Sequence, residues 1–280
     1  MYFWGKNFLR GYFWKFWVRK WKKKINTSQN SYIYNDTVPV LMFQKEYILF
    51  SQNINNMNYF CEEGKNMKKI VAVNASPRTN WNTAQLVKEA GKGVESVGIE
   101  IEYFDLYKLE KFTGCISCFA CKLPKNYGKC VCKDGLTPVL ESIRNADGLI
   151  MGTPNYFGDV TAGFRALYER LVFQYLTYKM DISCNTRKIP VLFIMTSNLP
   201  EEAYPQHGYD KKLENYKETF DLFIGETKIF VSGNTLQVSN YAPFAWTMFD
   251  VEAKKKRHEE VFPIEKEKVF ALGKEMAEKL

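Results

Sequence analysis

The sequence has few of the groups on which hydrolytic enzymes and membrane-spanning proteins depend. Only two histidines occur in 280 residues, and neither His207 nor His258 has a partner at the spacing of a metal ligand or a catalytic base. No Ser–His–Asp pattern and no paired acidic motif stands out, which argues against hydrolysis. No uninterrupted apolar run approaches the ~18 residues that are needed to span a bilayer.

The excess positive charge of the chain is concentrated near its beginning. Residues 1–66 contain ten Lys or Arg against four Asp or Glu, a net charge of +6. Of the 39 basic and 31 acidic residues in the whole chain, residues 67–280 therefore hold 29 and 27, a net charge of only +2. Because the main part of the chain is nearly neutral, we do not predict that it binds nucleic acid.

Residues 1–66 have two interpretations. The first 24 residues mix aromatic side chains with lysine and arginine, which suits a membrane surface or a partner, and membrane association is expected only in this case. The alternative is that translation starts at Met67 and that this basic, aromatic leader is disordered or not native. The first 24 residues lack the apolar middle segment of a secretory signal, and we place the protein in the cytoplasm.

Residues 67–83 predict an anion site between a strand and a helix. Residues 70–73 are apolar and β-branched, as is typical of a strand buried on both faces of a parallel sheet. A polar loop follows, and then a helix that Asn82 or Thr83 is placed to cap. Free backbone N–H groups and the helix dipole would attract an anion, and the hydroxyl and amide side chains favour a phosphate monoester. The alternative is an ordinary polar connection.

Strands and helices alternate along the rest of the chain. The further strands are predicted near residues 99–105, 148–152, 189–195 and 228–231, and the helices near residues 141–146, 161–178, 209–223 and 265–280. This order predicts right-handed βαβ units, and hence an α/β fold with a five-stranded, doubly wound parallel sheet and helices on both faces. Ligands of such sheets bind beyond the carboxyl ends of the strands, where the loops after residues 73, 151 and 195 would open together.

The loop of residues 152–159 follows the third strand. It offers backbone donors, a tyrosine, a phenylalanine and two glycines, which would let a flat ring approach the main chain. The alternative is a turn with two core aromatic residues. The next such loop, residues 196–198, is polar but short and carries a weaker signal.

Five of the seven cysteines lie within 18 residues of one another. Cys115, Cys118 and Cys121 have the CxxCxxC spacing, and Cys130 and Cys132 follow. Three such cysteines with a fourth are typical of an iron–sulfur cluster. Four thiolates could instead hold a structural zinc, and the remaining alternative is a loop of free thiols, some of them redox-active.

Three features in one order resemble a known family: an S-P-R-x-x-x-N-T loop, a CxxCxxC…C segment and a T-P-N-Y-F-G loop. Together they are similar to the flavodoxin-like NAD(P)H-dependent FMN reductases, and to the iron–sulfur flavoproteins among them. The resemblance covers about residues 67–235. It implies a flavodoxin-like FMN-binding domain over residues 67–280, with a C-terminal helical extension.

The resemblance also implies the residues of two sites. The FMN phosphate would be held by Ser76, Arg78, Asn80, Asn82 and Thr83. The isoalloxazine ring would be lined by Thr153, Pro154, Asn155, Tyr156, Phe157 and Gly158. A [4Fe–4S] cluster would be bound by Cys115, Cys118, Cys121 and Cys130. The sequence departs from the family at Ala75 and Trp81, where glycine is common, and in a longer gap before Cys130.

The activity implied by the resemblance is hydride transfer from NAD(P)H to bound FMN, and then electron transfer to a quinone, a flavin, a nitro compound or a partner protein. No catalytic side chain is required, because the cofactor carries the difficult chemistry. A homodimer or homotetramer is expected. The alternatives are an iron–sulfur flavoprotein or flavodoxin-like electron carrier without nicotinamide turnover, and a zinc-stabilised interaction protein without flavin.

Overall fold

The structure is a computed structural model that describes residues 68–280, so both interpretations of residues 1–66 lie outside the described residues. Five strands form one sheet: β1 Lys69–Asn74, β2 Glu100–Asp105, β3 Gly148–Pro154, β4 Val191–Thr196 and β5 Thr227–Ser232. Their order is β2-β1-β3-β4-β5, and every neighbouring pair is parallel. This order is that of flavodoxin, so the predicted fold class is confirmed.

Seven α-helices lie in the described part of the chain: α1 Asn82–Glu95, α2 Thr137–Asn145, α3 Ala162–Phe173, α4 Tyr204–His207, α5 Tyr209–Phe223, α6 Val251–Glu260 and α7 Phe262–Glu278. Alternate strand residues point to opposite faces, so Val71 and Val73 join a core with α2, α3 and α5, while Ile70 and Ala72 join one with α1 and α7. Helices therefore cover both faces, as predicted. No helix among these residues is long and apolar enough to cross a membrane.

Helix ends account for most of the differences from the sequence-based expectation. The helix predicted over residues 161–178 ends at Phe173, and the C-terminal helix begins at Phe262 after a separate helix, α6. The predicted cap of α1 is wrong, because the N-cap position is Trp81 and no side chain caps the helix. Asn82 and Thr83 lie in the first turn instead, and their side chains bond to other segments.

Candidate functional site

The carboxyl ends of β1, β3 and β4 bring three polar loops together. The Oγ1 atoms of Thr83 and Thr196 lie 2.7 Å apart. The Thr161 hydroxyl donates to the carbonyl of Ala75 at 2.8 Å. The backbone N–H of Asn155 donates to the carbonyl of Thr196 at 2.7 Å. These bonds connect the loops that follow three adjacent strands, at the edge where the strand order changes direction.

In the first loop, residues 75–81, buried polar side chains lie next to the uncapped N-terminus of α1. Ser76 and Thr83 are both buried. The Ser76 N–H donates to Asn74 Oδ1 at 3.1 Å, and Ser76 Oγ accepts from the Arg78 N–H at 3.2 Å. The first N–H groups of α1 have no intrahelical acceptor, and the Asn82 Oδ1 atom is buried without a partner. This end of α1 is therefore suited to an anion.

The segment after β5 lies over the first loop. The Leu236 carbonyl accepts from Asn82 Nδ2 at 2.7 Å and from Trp81 Nε1 at 3.0 Å. The Gln237 carbonyl accepts from the Arg78 guanidinium. Sequence reasoning missed this segment, because a backbone carbonyl acceptor leaves no signal in the sequence. Asn80, by contrast, is exposed and contacts Lys88 rather than the other predicted phosphate ligands.

Two of the predicted ring-lining residues are part of β3. Thr153 and Pro154 are its last residues. Thr153 is fully buried, and its Oγ1 accepts from the Thr161 N–H at 3.2 Å. Thr161 in turn caps α3 by accepting from the Phe164 N–H at 3.3 Å. Thr153 therefore positions the start of α3 beneath the loop.

Residues 155–158 form a tight turn at the edge of the same site. The Gly158 N–H donates to Asn155 Oδ1 at 2.8 Å, and the Asn155 Nδ2 group is buried without a partner. Phe157 has a φ of 54° and is fully exposed, and Tyr156 is 46% exposed. A left-handed backbone is uncommon for a residue other than glycine. This turn therefore exposes two aromatic rings, while the Asn155 amide group remains buried.

A buried lysine connects the third loop to the segment after β5. Lys254 Nζ lies 2.6 Å from Asn234 Oδ1 and 3.4 Å from the carbonyls of Asn198 and Thr235. Burial, together with the charge of Arg257, lowers the pKa of Lys254 to about 8. Nothing in the sequence of the charged helix α6 singles out this lysine among its neighbours.

The five clustered cysteines line one cavity between the segment after β2 and α3: Cys115, Cys118, Cys121, Cys130 and Cys132. Ser117 and Phe119 have φ values of 51° and 57°, a backbone conformation that costs about 1–3 kcal/mol at each position. Burial raises the pKa of the Cys121 thiol, as do the nearby Cys130 and Cys115. Within residues 68–280, no three Cys, His, Asp or Glu side chains are grouped to hold a single metal ion.

A buried ion pair supports the cysteine cavity. Arg170, which is 2% exposed, lies against the cavity and donates to both carboxylate oxygens of Asp134 at 2.6 and 2.7 Å. It also donates to the Cys132 carbonyl at 2.9 Å. Burial would raise the pKa of Asp134, but hydrogen bonds from Arg170 and the Thr113 N–H hold that pKa below its ordinary value.

Comparisons with known proteins agree with these features. Residues 68–199 match the family model described as NADPH-dependent FMN reductase. The chain is 38% identical over 102 residues to an iron–sulfur flavoprotein of Methanocaldococcus jannaschii. The aligned segment covers 36% of this chain and 51% of that protein. It is 35% identical over 104 residues to an iron–sulfur flavoprotein of Archaeoglobus fulgidus, covering 36% and 48%. The chain thus spans about half the length of these curated relatives, and the resemblance stated from the sequence is confirmed.

Two solved structures show the same fold. An azoreductase from Bacillus anthracis str. Sterne has a TM-score of 0.53 at 13% identity, covering 75% of this chain and 100% of the other. An FMN-dependent NADH-azoreductase from Bacillus anthracis str. Ames Ancestor, in complex with FMN, has a TM-score of 0.51 at 15% identity with the same coverage. At this identity the likeness concerns the fold alone.

Proposed function

We propose that this chain binds FMN and catalyses the NAD(P)H-dependent reduction of an acceptor. The observation that carries the proposal is the uncapped N-terminus of α1 beside the buried Ser76 and Thr83 hydroxyls. It lies at the switch point of a flavodoxin-order sheet, inside the segment that matches the FMN reductase family. When bound, FMN would supply electron exchange with a nicotinamide and with the acceptor.

In this proposal the first loop holds the phosphate. The N–H groups of α1 and the hydroxyls of Ser76 and Thr83 donate to its oxygens, since a helix N-terminus attracts an anion. Arg78 and Asn82 join them by exchanging the Gln237 and Leu236 carbonyls for phosphate oxygens, which are stronger, charged acceptors. Asn80 would have to turn inward, because its side chain now contacts Lys88.

The turn of residues 155–158 is assigned to the flavin ring. Its two aromatic side chains, Tyr156 and Phe157, are exposed, and the buried Asn155 amide has an unused donor. The N–H groups of Asn155, Tyr156 and Gly158 already have acceptors in the protein. The backbone donor of this turn that would stabilise negative charge on the reduced ring, without a side-chain acid, is therefore the Phe157 N–H.

The test of the phosphate assignment is the double variant Ser76→Ala with Thr83→Ala. Each lost charge-assisted hydrogen bond contributes about 1.5–3 kcal/mol, so FMN should bind at least tenfold more weakly. Titration of the purified apoprotein with FMN, followed by flavin fluorescence, measures the change. Ser96→Ala with Thr219→Ala is the matched control, because those hydroxyls bond only to carbonyls of their own helices. Equal FMN affinity in the two double variants would refute the assignment.

A second function, electron transfer through an iron–sulfur cluster, is favoured by the five thiols that line one cavity. Thiolates are the ligands that such clusters require, and Cys115, Cys118, Cys121 and Cys130 would be the ligands, with Cys132 beside them. Iron and acid-labile sulfide assays on protein purified without oxygen test this. The variant Cys121→Ser should lose iron, whereas Cys184→Ser should keep it. Zinc in place of iron would support the structural alternative.

Turnover distinguishes the enzyme from an electron carrier. The purified flavin-loaded protein should oxidise NADH or NADPH when a quinone, a nitro compound or free flavin is supplied. Binding of FMN without oxidation of either nicotinamide would identify a flavodoxin-like carrier instead. The oligomeric state, the physiological acceptor, the cytoplasmic location and a functional domain of residues 67–280 stay predictions.

A further inference from the structure

A second cavity lies at the opposite edge of the sheet from the candidate FMN site. Its volume is about 200 Å³. Ile189 and Ile224 line it just before β4 and β5 begin, and Ile143 lines it at the end of α2. One water molecule needs only about 10–15 Å³ of such space, so the cavity has room for a small organic molecule.

The polar lining of this cavity is positive. It contains Arg144 and Arg187 but no aspartate or glutamate. Arg187 is paired with Asp147, at 2.6 Å. Arg144, in contrast, forms no ion pair with any residue of the described part of the chain: its Nη atoms donate to the Gly128 carbonyl and to Gln174 at 3.0 and 3.3 Å. Its buried Nε–H has no partner.

A tyrosine lines the same cavity near these two arginines. Tyr175 is 7% exposed and lines the cavity. Burial raises the pKa of Tyr175 above its ordinary value, although the nearby Arg144 and Arg187 act in the opposite direction. Its hydroxyl forms no hydrogen bond with residues 68–280. The cavity therefore combines the Arg144 guanidinium, which has no carboxylate partner, with the unbonded Tyr175 hydroxyl. Three isoleucines lie next to them.

We propose that this cavity binds a small organic anion, with its carboxylate or phosphate on Arg144 and Tyr175 and its hydrocarbon part against the isoleucines. A partly buried guanidinium without a counter-ion favours such an anion, because an ion pair with charge-assisted hydrogen bonds compensates its desolvation. The site is separate from the proposed FMN site and does not depend on it.

The test uses the full-length protein as purified, including any FMN that remains bound to it. Butyrate and butyl phosphate are titrated at constant ionic strength while amide signals are followed by NMR, and the two probes distinguish a carboxylate from a phosphate ligand. We expect saturable shifts at Gly128, Asn185 and Thr186 with at least one probe. Arg144→Gln should weaken binding at least tenfold, whereas Lys274→Gln, which removes an exposed charge on α7, should leave it unchanged.

Two outcomes overturn the proposal. One is the absence of saturable shifts at these three amides with both probes in the wild-type protein, including the case in which shifts occur only in residues 76–83. The other is equal affinity in the wild-type and Arg144→Gln proteins. If circular dichroism shows that Arg144→Gln does not fold, Tyr175→Phe takes its place, with an expected loss of threefold or more, and equal affinity in that variant overturns the proposal as well.

Discussion

The loops at the carboxyl edge of the sheet and the cysteine segment, residues 110–135, are built in different ways. Each carboxyl-edge loop directly follows a buried strand, and bonds such as that between Thr83 and Thr196 connect one loop to another. The cysteine segment has only two short 3-10 turns, Ala120–Lys122 and Pro124–Asn126, as regular structure. It is fixed to the domain largely by side chains of α3.

This difference indicates which changes each region tolerates. The position of the carboxyl-edge loops is determined by strand order and by two hydrophobic cores. The loss of one polar bond there should therefore change the affinity for FMN more than the free energy of unfolding. The position of the cysteine segment depends on a few buried polar bonds, above all the pair of Arg170 and Asp134. Loss of one of these should therefore destabilise the fold.

The largest effect is expected for Arg170→Met. This variant leaves the largely buried Asp134 carboxylate without its positive partner, and breaking a buried ion pair in this way costs about 3–5 kcal/mol. Urea denaturation should show that loss. The control is Arg165→Met on the same helix, because the pair of Arg165 and Glu169 is exposed and should contribute about 0–1 kcal/mol. Similar losses in both variants would show that the buried pair stabilises the protein no more than an exposed pair, and would contradict the role given to it in holding the cysteine segment.

An intermediate effect is expected for Gly152→Ala at the carboxyl edge of β3. An added Cβ would lie 2.3 Å from Val87 Cγ2 and 3.0 Å from Thr83 Cγ2. Both neighbours are β-branched and stiff at χ1, so overpacking should cost about 1–3 kcal/mol in the free energy of unfolding and displace Thr83. Gly148→Ala in the same strand is the control, because its nearest contacts are 3.1 Å or longer. If Gly152→Ala lowered the free energy of unfolding less than Gly148→Ala does, Val87 and Thr83 of α1 would be shown to move aside, contrary to this prediction.

The sheet was predictable because its signal is local. Runs such as residues 70–73 and 189–195 are apolar and β-branched over the length of a buried strand, and polar loops separate them from helices. The end of α3 and the separate helix α6 were not predicted. No glycine or proline follows Phe173 directly, so the sequence gives no stop signal at the end of α3. The start of α6 does have a local signal that was overlooked, because the Asp250 side chain caps the helix by accepting from the N–H groups of Glu252 and Ala253.

The candidate sites divide in the same way. The first loop and the clustered cysteines were found from the spacing of Ser76, Thr83 and the CxxCxxC residues, since each motif is contiguous in sequence. The carbonyls of Leu236 and Gln237 were not found, because they lie 154 residues or more along the chain from the side chains that they accept from, and any residue could supply them. The cavity beside Arg144 was missed for a similar reason, as its lining comes from five separate segments of the chain.

The smallest effect is a pH dependence at the carboxyl edge. Burial and Arg257 lower the pKa of Lys254 to about 8 from the 10.5 of an exposed lysine, while Asn198, Asn234, Thr235 and the Phe249 ring face its ammonium group. Between these two pH values the unfolded chain binds more protons than the folded one, so stability rises with pH across this window. Below pH 8 the lysine is charged in both states and the cost of burying that charge is fully present.

The variant Lys254→Met removes this titration. The free energy of unfolding of the wild-type protein minus that of Lys254→Met should increase between pH 8 and 10 and be flat between pH 6 and 7.5, because other titrating groups cancel in the difference. Urea denaturation at each pH measures it. Lys256→Met removes the same charge from an exposed position of α6 and is the matched control. A flat difference for Lys254→Met up to pH 10 would mean that the ammonium group is solvated, and that the third loop is joined to the segment after β5 less tightly than these contacts indicate.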